Sequence, residues 1–362
     1  MTKDEGRRLK LKEFLTEEFL MDCLGDGLNI QQIANRTKEM NGGTCSYQSV
    51  NYWLKQYGLR PDTPNRKMKT GIVPLKVIKA YDLTHDTEPD MEGNFMYYEA
   101  NKTVNDIVVM LSDLQIGACS TADGYDPMPE ETIQRHVDVY CDNLIRMFAR
   151  RNLLIGTIHL FMLGDIVDGE LIYPKQKTID MGRQLKIAVR VTRQIIEVLR
   201  RYCTLVMVHT VAGNHGRITH SHHKASNWDN VVYDTLEIVY ENIDDVIVDS
   251  TREFVKVSQV GKWRFLYTHG DIINGMITRN KAIAKSNGLH RRLPHDGFLL
   301  GHFHTVFLLN YNRLPIIVNG CMYNSELIQN VLAGWESKRQ IVFGVSEGND
   351  YPVDWMEMID VE

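Results

Sequence analysis

The sequence predicts an α/β fold, a sandwich with sheets inside and helices outside, preceded by a small three-helix unit. Three observations predict it. From residue 106 onward, short apolar runs alternate with longer stretches of helical periodicity, the pattern of strands and covering helices. Late in the chain the helices give way to paired apolar runs about tight turns, which read as hairpins. Residues 13–60 instead carry three short amphipathic segments separated by glycine-containing breaks. These shifts divide the chain into a helical domain at 1–60, a linker with edge strands at 61–104 and an α/β body at 105–362.

In the first domain Thr16 caps a helix whose apolar stripe is Phe19, Leu20 and Cys23, and Gly25 and Gly27 stop it. A second helix runs from about Ile30 to Met40 with Ile30, Ile33 and Ala34 on one face, and the turn Asn41-Gly42-Gly43 ends it. Ser46 caps a third, in which Val50, Trp53 and Leu54 face inward until Gly58. Pro61, Pro64, Pro74 and Pro89 mark the linker, where Val73–Tyr81 and Phe95–Ala100 read as edge strands.

In the body, Ile107–Leu111 is a buried strand and Glu130–Arg150 a helix. Strands at Ile158–Leu163 and Leu205–Val211 flank a long helix at Met181–Tyr202. Asn230–Glu241 reads as helix and Val246–Val248 as a short strand. Phe254–Val257 and Trp263–Tyr267 form a hairpin about Gly261, followed by a strand at Phe298–Leu300. Val306–Tyr311 and Leu314–Val318 form a second hairpin about Asn312-Arg313.

The 362 residues suffice for a full-sized core and more than one domain. A net charge of −5 argues against indiscriminate binding of nucleic acid by the whole molecule. The charge is uneven, however. Residues 1–80 hold 14 Lys/Arg and 9 Asp/Glu, a net of +5, which leaves −10 on the remainder. A basic end on an acidic body suits contact with a polyanion, and equally an ordinary solvated surface. The six cysteines form neither a C-x-x-C pair nor zinc-finger spacing. No secretory signal and no apolar run of membrane-spanning length are present, so a cytoplasmic location with reduced thiols and no membrane partner is expected.

Five short motifs, each ending an apolar run, carry the chemistry. They are Asp113-Leu114-Gln115, Gly164-Asp165-Ile166-Val167-Asp168, Gly213-Asn214-His215, His269-Gly270-Asp271 and Gly301-His302-Phe303-His304. Apolar strands that end in such loops place polar groups at one edge of the sheets, where open α/β folds keep their ligands. Carboxylate, amide and imidazole together are the hard and borderline donors that suit divalent metals. No phosphate-binding G-x-x-x-x-G-K-[ST] loop and no G-x-S-x-G elbow occurs, which excludes the commonest NTPase and serine-hydrolase signatures.

The ordered set resembles the calcineurin-like metallophosphoesterase superfamily, which includes the nuclease subunits of double-strand-break repair complexes. The resemblance covers about residues 106–325 and rests on the pattern D-x-H, GDxxD, GNH[D/E], H and GHxH. It implies a four-layer α/β/β/α sandwich holding two divalent metal ions, manganese foremost, with magnesium, iron or zinc as alternatives. Carried over by position, Asp113 and His304 would bind the first metal and Asp165 would bridge both. Asn214, His269 and His302 would complete the second. Asp168 would orient its neighbours, and His215 would donate a proton to the leaving oxygen or stabilise developing charge. A hydroxide held at the dinuclear centre would attack phosphorus.

Two positions depart from the family pattern. Gln115 stands where the family has histidine. Its amide oxygen is a harder, weaker ligand that would favour manganese or magnesium over zinc, or weaken the first site. Gly216 stands where an acid is frequent. Arg217 then reads either as a phosphate contact or as a surface charge. The run His220-Ser-His222-His223-Lys224 reads as a solvated loop, with a third metal site as the alternative. His159 and His209 fall within apolar strands and read as core residues. Trp228, Asp229 and Asn230 read as the start of a helix, and Asp271 as a group orienting His269.

The N-terminal segment from Ile30 to Leu54 resembles small helix-turn-helix DNA-binding domains. That resemblance implies that Ser46, Tyr47, Gln48, Ser49 and Asn51 face a groove, with Arg60, Arg66, Lys67 and Lys69 on phosphate. A three-helix module that only packs or binds protein fits the same pattern. The expectation for the whole chain is a metal-dependent phosphodiesterase acting on DNA. A phosphomonoesterase and a non-catalytic DNA-binding protein are the alternatives. A homodimer is one assembly the resemblance allows, though no coiled-coil heptad marks it.

Overall fold

The strands of the body bury both faces, and that alternation sets up the layers. The structure is a computed structural model, and it describes residues 11, 14–25, 28, 30–41, 45, 49, 50, 53, 54, 57, 105–119, 128–173, 179–219, 226–322, 338–345 and 347–362. The chain divides into two compact units, Met1–Leu75 and Lys76–Glu362.

In the first unit, α1 (Glu17–Gly25) and α2 (Ile30–Asn41) are present, and residues 49, 50, 53 and 54 are helical. Thr16 Oγ1 accepts from Phe19 N at 3.3 Å, the N-cap its position predicts. Leu20, Cys23, Ile33, Ala34, Val50, Trp53 and Leu54 share one buried cluster with Leu11 and Leu15. Ser49 is only 9% exposed, whereas the groove-facing position expected of it would leave it open to solvent. Ser46, Tyr47, Gln48, Asn51, Gly58, the four basic residues from Arg60 to Lys69 and the two expected edge strands lie outside the described residues.

In the second unit a six-stranded sheet runs β11-β10-β1-β2-β3-β4. Its strands are β1 (Asn105–Leu111), β2 (Ile155–Met162), β3 (Cys203–Thr210), β4 (Val246–Asp249), β10 (Arg339–Val345) and β11 (Trp355–Asp360). The strands β1 to β4 are parallel, and β10 pairs antiparallel with both β1 and β11. A five-stranded sheet runs β5-β6-β7-β9-β8, with β5 (Val255–Val260), β6 (Trp263–Thr268), β7 (Gly297–Leu300), β8 (Phe307–Tyr311) and β9 (Leu314–Val318).

Period-two alternation makes four layers. Ile107, Val109, Leu111, Ile158, Leu160 and Val208 face the helices α3 (Glu130–Arg151), α4 (Met181–Leu199) and α5 (Trp228–Tyr240). Val108, Met110, Phe161 and Phe343 point the other way and meet Phe265, Tyr267 and Leu299 of the second sheet. The outer face of that sheet, with Leu266, Phe298, Leu300 and Ile316, is covered by Ala282 and Ile283 of α6 (Arg279–His290). The α/β/β/α order is therefore the one expected.

Several boundaries differ. The strand β2 begins at Ile155 rather than Ile158, because the half-buried start of a central strand dilutes its apolar run. The long helix stops at Leu199 rather than Tyr202, where Arg201 N and Tyr202 N turn back onto Val198 and Leu199 carbonyls. The strands β10 and β11 and the helix α6 were not anticipated. The first of them flanks β1, so β1 is an interior strand on both sides.

Between the sheets lies a polar chain. His159 Nδ1 is 2.9 Å from His209 Nε2, and His209 Nδ1 is 3.1 Å from Ser258 Oγ, which donates to the Tyr267 hydroxyl at 3.2 Å. The two imidazoles are core residues, as their sequence setting predicts. Burial lowers His159 to about 4, and burial together with the neighbouring His159 lowers His209 to about 3. The folded state thus holds both rings neutral below the ordinary imidazole value. Their share of stability is complete above about pH 6.5 and is lost as pH falls from 6.5 through 4. Relative to His159→Leu, the wild-type free energy of unfolding should fall by about 2 kcal/mol between pH 7 and pH 5. Urea titrations of both proteins at the two pH values check this, and a difference independent of pH would contradict it.

Candidate metal centre

The five motif loops leave the C-terminal ends of β1, β2, β3, β6 and β7, so two parallel strand sets deliver them to one edge of the sandwich. Asp113, Gln115, Asp165, His302 and His304 have φ of 55°, 42°, 53°, 73° and 53°. A left-handed backbone costs a non-glycine residue about 1–2 kcal/mol, and such residues concentrate at functional sites. Here loop-to-loop hydrogen bonds hold the strain in place. Asp113 N donates to Gly164 O at 3.1 Å, Gln115 N to Asp165 O at 2.9 Å, and Gly301 N to His269 O at 2.8 Å. The loops pack so closely that a Cβ on Gly213 would lie 2.0 Å from Asp165 Oδ1, which makes glycine obligatory there.

Each buried carboxylate is pinned by one oxygen and presents the other. Asp113 Oδ2 accepts from His302 N at 3.0 Å, while Oδ1 lies 3.4 Å from His304 Nε2 and has no hydrogen-bond partner among the described residues. Asp165 Oδ1 accepts from His215 N at 2.8 Å, and Oδ2 lies 3.1 Å from His269 Nε2. His269 Nδ1 donates to Leu163 O at 2.7 Å, which leaves Nε2 as its lone-pair nitrogen. That nitrogen is 3.0 Å from Asn214 Oδ1 and 3.2 Å from His302 Nδ1.

Asp165, His269 and His302 offer ligand atoms within 4.8 Å of one another. So dense a set of acceptors is unfavourable without a cation among them. Burial opposes the charge on His269, yet Asp165 and Asp113 outweigh it and raise the imidazole to about 10. Burial and the charged His269 lower His302 to about 4. The donor chemistry, and an Asp113 Oδ1 that accepts no hydrogen bond among the described residues, fit a divalent metal.

His215 stands beside these ligands. Its Nδ1 lies 2.7 Å from Asp168 Oδ1, and its Nε2 faces the cluster, 3.4 Å from Gln115 Nε2. Burial works against its protonation, but Asp165 and Asp168 raise the imidazole above its ordinary value. Gln115 presents its amide nitrogen to His304 Nε2 at 3.2 Å, and its buried Oε1 has no hydrogen-bond partner among the described residues. As it stands, the amide donates toward the imidazoles, and its oxygen would reach a metal between them only by turning over.

Two residues at the site escaped the sequence reading. Tyr173 packs its ring 4.6 Å from His215, and its hydroxyl accepts from Asn214 Nδ2 at 2.8 Å, which fixes the orientation of that amide. The larger omission is Asp229. It does begin α5, as expected, but it also accepts four backbone amides. These are Asp165 N at 2.9 Å, Ile166 N at 3.0 Å, Val167 N at 3.2 Å and Gly213 N at 2.8 Å. Asn227 caps the same helix and donates to Gly213 O at 2.8 Å. The start of α5 therefore clamps the second and third motif loops together. Behind Asp113, Asn319 Nδ2 donates to Ser112 Oγ at 2.9 Å and to Gln340 Oε1 at 2.7 Å, joining β9 and β10 to the first loop.

Arg217 is half-buried and paired with Asp271, so both named candidates at the rim are engaged with each other. The segment from His220 to Lys224 lies outside the described residues.

No protein-family profile and no curated protein matches the chain. Among solved structures it is similar to vacuolar protein sorting 29 from Cryptosporidium parvum, with 13% identity over 71% of this chain and 100% of that one, at a TM-score of 0.36. A zinc-complexed Vps29 from Entamoeba histolytica matches at 13% identity over 71% and 99%, with a TM-score of 0.31. A novel archaeal phosphodiesterase matches at 11% identity over 70% and 98%, with a TM-score of 0.34. At such identity and overlap the likeness says nothing of what this protein does. No helix of the described residues is long and apolar enough to cross a membrane.

Proposed function

We propose that this protein is a metal-dependent phosphoesterase that hydrolyses phosphodiester bonds, with DNA as its substrate. The observation that carries the reading is the convergence of Asp113, Asp165, Asn214, His269, His302 and His304 at one sheet edge, with His215 beside them. Asp113 and His304 would hold one divalent ion, Asn214, His269 and His302 a second, and Asp165 both. Bound there, such ions would acidify water and neutralise the phosphate oxygens.

The chain's own groups do the rest. Asp168 holds the Nδ1–H of His215, so Nε2 is aimed at the site and a protonated ring is stabilised. From that atom a proton passes to the leaving oxygen. Tyr173 fixes Asn214 and walls one side of His215. With its amide oxygen turned to the site, Gln115 would favour manganese or magnesium over zinc. DNA is favoured over smaller esters because residues 1–80 carry a net +5 on a chain that is otherwise acidic.

His215→Ala should lower kcat by about 10²- to 10⁴-fold while the metals stay bound. Single-turnover kinetics with a parallel metal analysis check this, and loss of the metals would make His215 a ligand instead. The reading as a whole is tested by manganese-dependent hydrolysis of bis-para-nitrophenyl phosphate, para-nitrophenyl phosphate and linear DNA. Cleavage of the diester and DNA supports it. Cleavage of the monoester alone makes the protein a phosphatase, and inactivity of metal-loaded protein on all three removes the catalytic reading.

A further inference from the structure

One segment of the body carries basic charge alone. Between Asp271 and Asp296 the chain carries Arg279, Lys281, Lys285, Arg291 and Arg292 and no acidic residue, although residues 81–362 are net −10. The basic segment is α6 and the turn behind it, which covers the outer face of the five-stranded sheet through Ala282, Ile283, Leu289 and Leu293.

Arg279, Lys281, Arg291 and Arg292 are exposed and Lys285 is partly so. Lys281 is spent locally on the carbonyls of Asn274 and Met276, at 2.7 and 3.2 Å. Arg279, Lys285, Arg291 and Arg292 meet no carboxylate among the described residues. Elsewhere in the body Arg150, Arg151, Arg183, Arg190, Arg200 and Arg252 each do. An unpaired, acid-free basic strip on an acidic protein is an electrostatic footprint for a polyanion.

Its placement selects the polyanion. The helix connects two parallel strands, β6 and β7, whose C-terminal ends carry His269 and His302, so it starts at the metal edge and runs away from it. A helix of 12 residues is about 18 Å long, over which one strand of a duplex carries about five phosphates. We propose that α6 and the following turn form a nucleic-acid backbone track that leads the strand to the metal centre. This rests on the proposed action on DNA. The contacts are to phosphates, so the track holds DNA without reading its sequence.

The test is the full-length triple variant Arg279→Gln/Lys285→Gln/Arg292→Gln, with duplex DNA binding followed across salt concentrations and with hydrolysis of bis-para-nitrophenyl phosphate. The expected result is DNA affinity at least 10-fold weaker near 0.15 M salt and a log–log salt slope shallower by about 2–3, with small-diester hydrolysis and melting temperature unchanged. Unchanged affinity and slope overturn the track. So does a loss of binding seen only on phosphatidylserine vesicles, which would make the strip a membrane contact. If the wild-type protein hydrolyses no diester, the catalytic reading falls, yet the DNA-binding arm still decides the strip.

Discussion

Replacing Asp229 by alanine is expected to destabilise the protein by about 4 kcal/mol or more. Its carboxylate accepts four backbone amides of two loops, and it is fully buried. A buried donor left without its acceptor costs about 1–3 kcal/mol, and alanine would strand all four. Burial and the neighbouring Asp165 raise the carboxyl to about 6, so the chain keeps this acid despite an unfavourable setting for its charge. Asp229→Asn retains one acceptor oxygen and should fall between the two. Urea unfolding followed by circular dichroism measures the loss. An alanine variant within 1 kcal/mol of wild type would show that the loops hold themselves.

The second large effect is on chemistry. Asp165→Asn should reduce diester hydrolysis by at least about 10³-fold, equivalent to about 4 kcal/mol of transition-state stabilisation, and weaken metal binding at both positions together. The carboxylate sits at the centre of the cluster, with Oδ1 on His215 N and Oδ2 facing His269 Nε2. Asparagine keeps the shape and one acceptor but removes the charge that offsets two cations. It also puts an N–H₂ group where an acceptor faces either His269 or the His215 amide. A variant that loses only one of two bound ions would show that Asp165 does not bridge.

The motif loops were legible because each is a local event, an apolar run that ends in a short motif, and because the five recur in a fixed order. No one of Asp113, Asp165, Asn214, His269, His302 and His304 stands out by its own neighbours; the fixed order of the five motifs, and the family they resemble, picks them out together, and the fold gathers them at one edge. His159 and His209 were legible for a similar reason, since polar rings inside continuous strand runs have nowhere to point but the core. Asp229 was not, because what it does is accept amides 16 and more residues away, a relation without a local spacing. Tyr173 is likewise placed by a loop whose path no periodicity dictates.

Among the elements, α6 lacked a continuous apolar stripe, with only Ala282 and Ser286 fully buried along it. The strand β10 was readable in Ile341-Val342-Phe343 but its place was not. Antiparallel insertion beside β1 is decided by pairing between residues more than 200 positions apart, such as Val108 with Phe343. Gln340 then supplies the Ser112 loop with a partner that only this pairing could bring.

We propose that these loops build a two-ion site. Calorimetric titration of manganese into chelator-treated, full-length protein tests it most directly, with inductively coupled plasma analysis of the dialysed complex. Two ions per chain are expected, with both binding steps weakened in Asp165→Asn. Failure to bind manganese, or binding indifferent to that substitution, would contradict it.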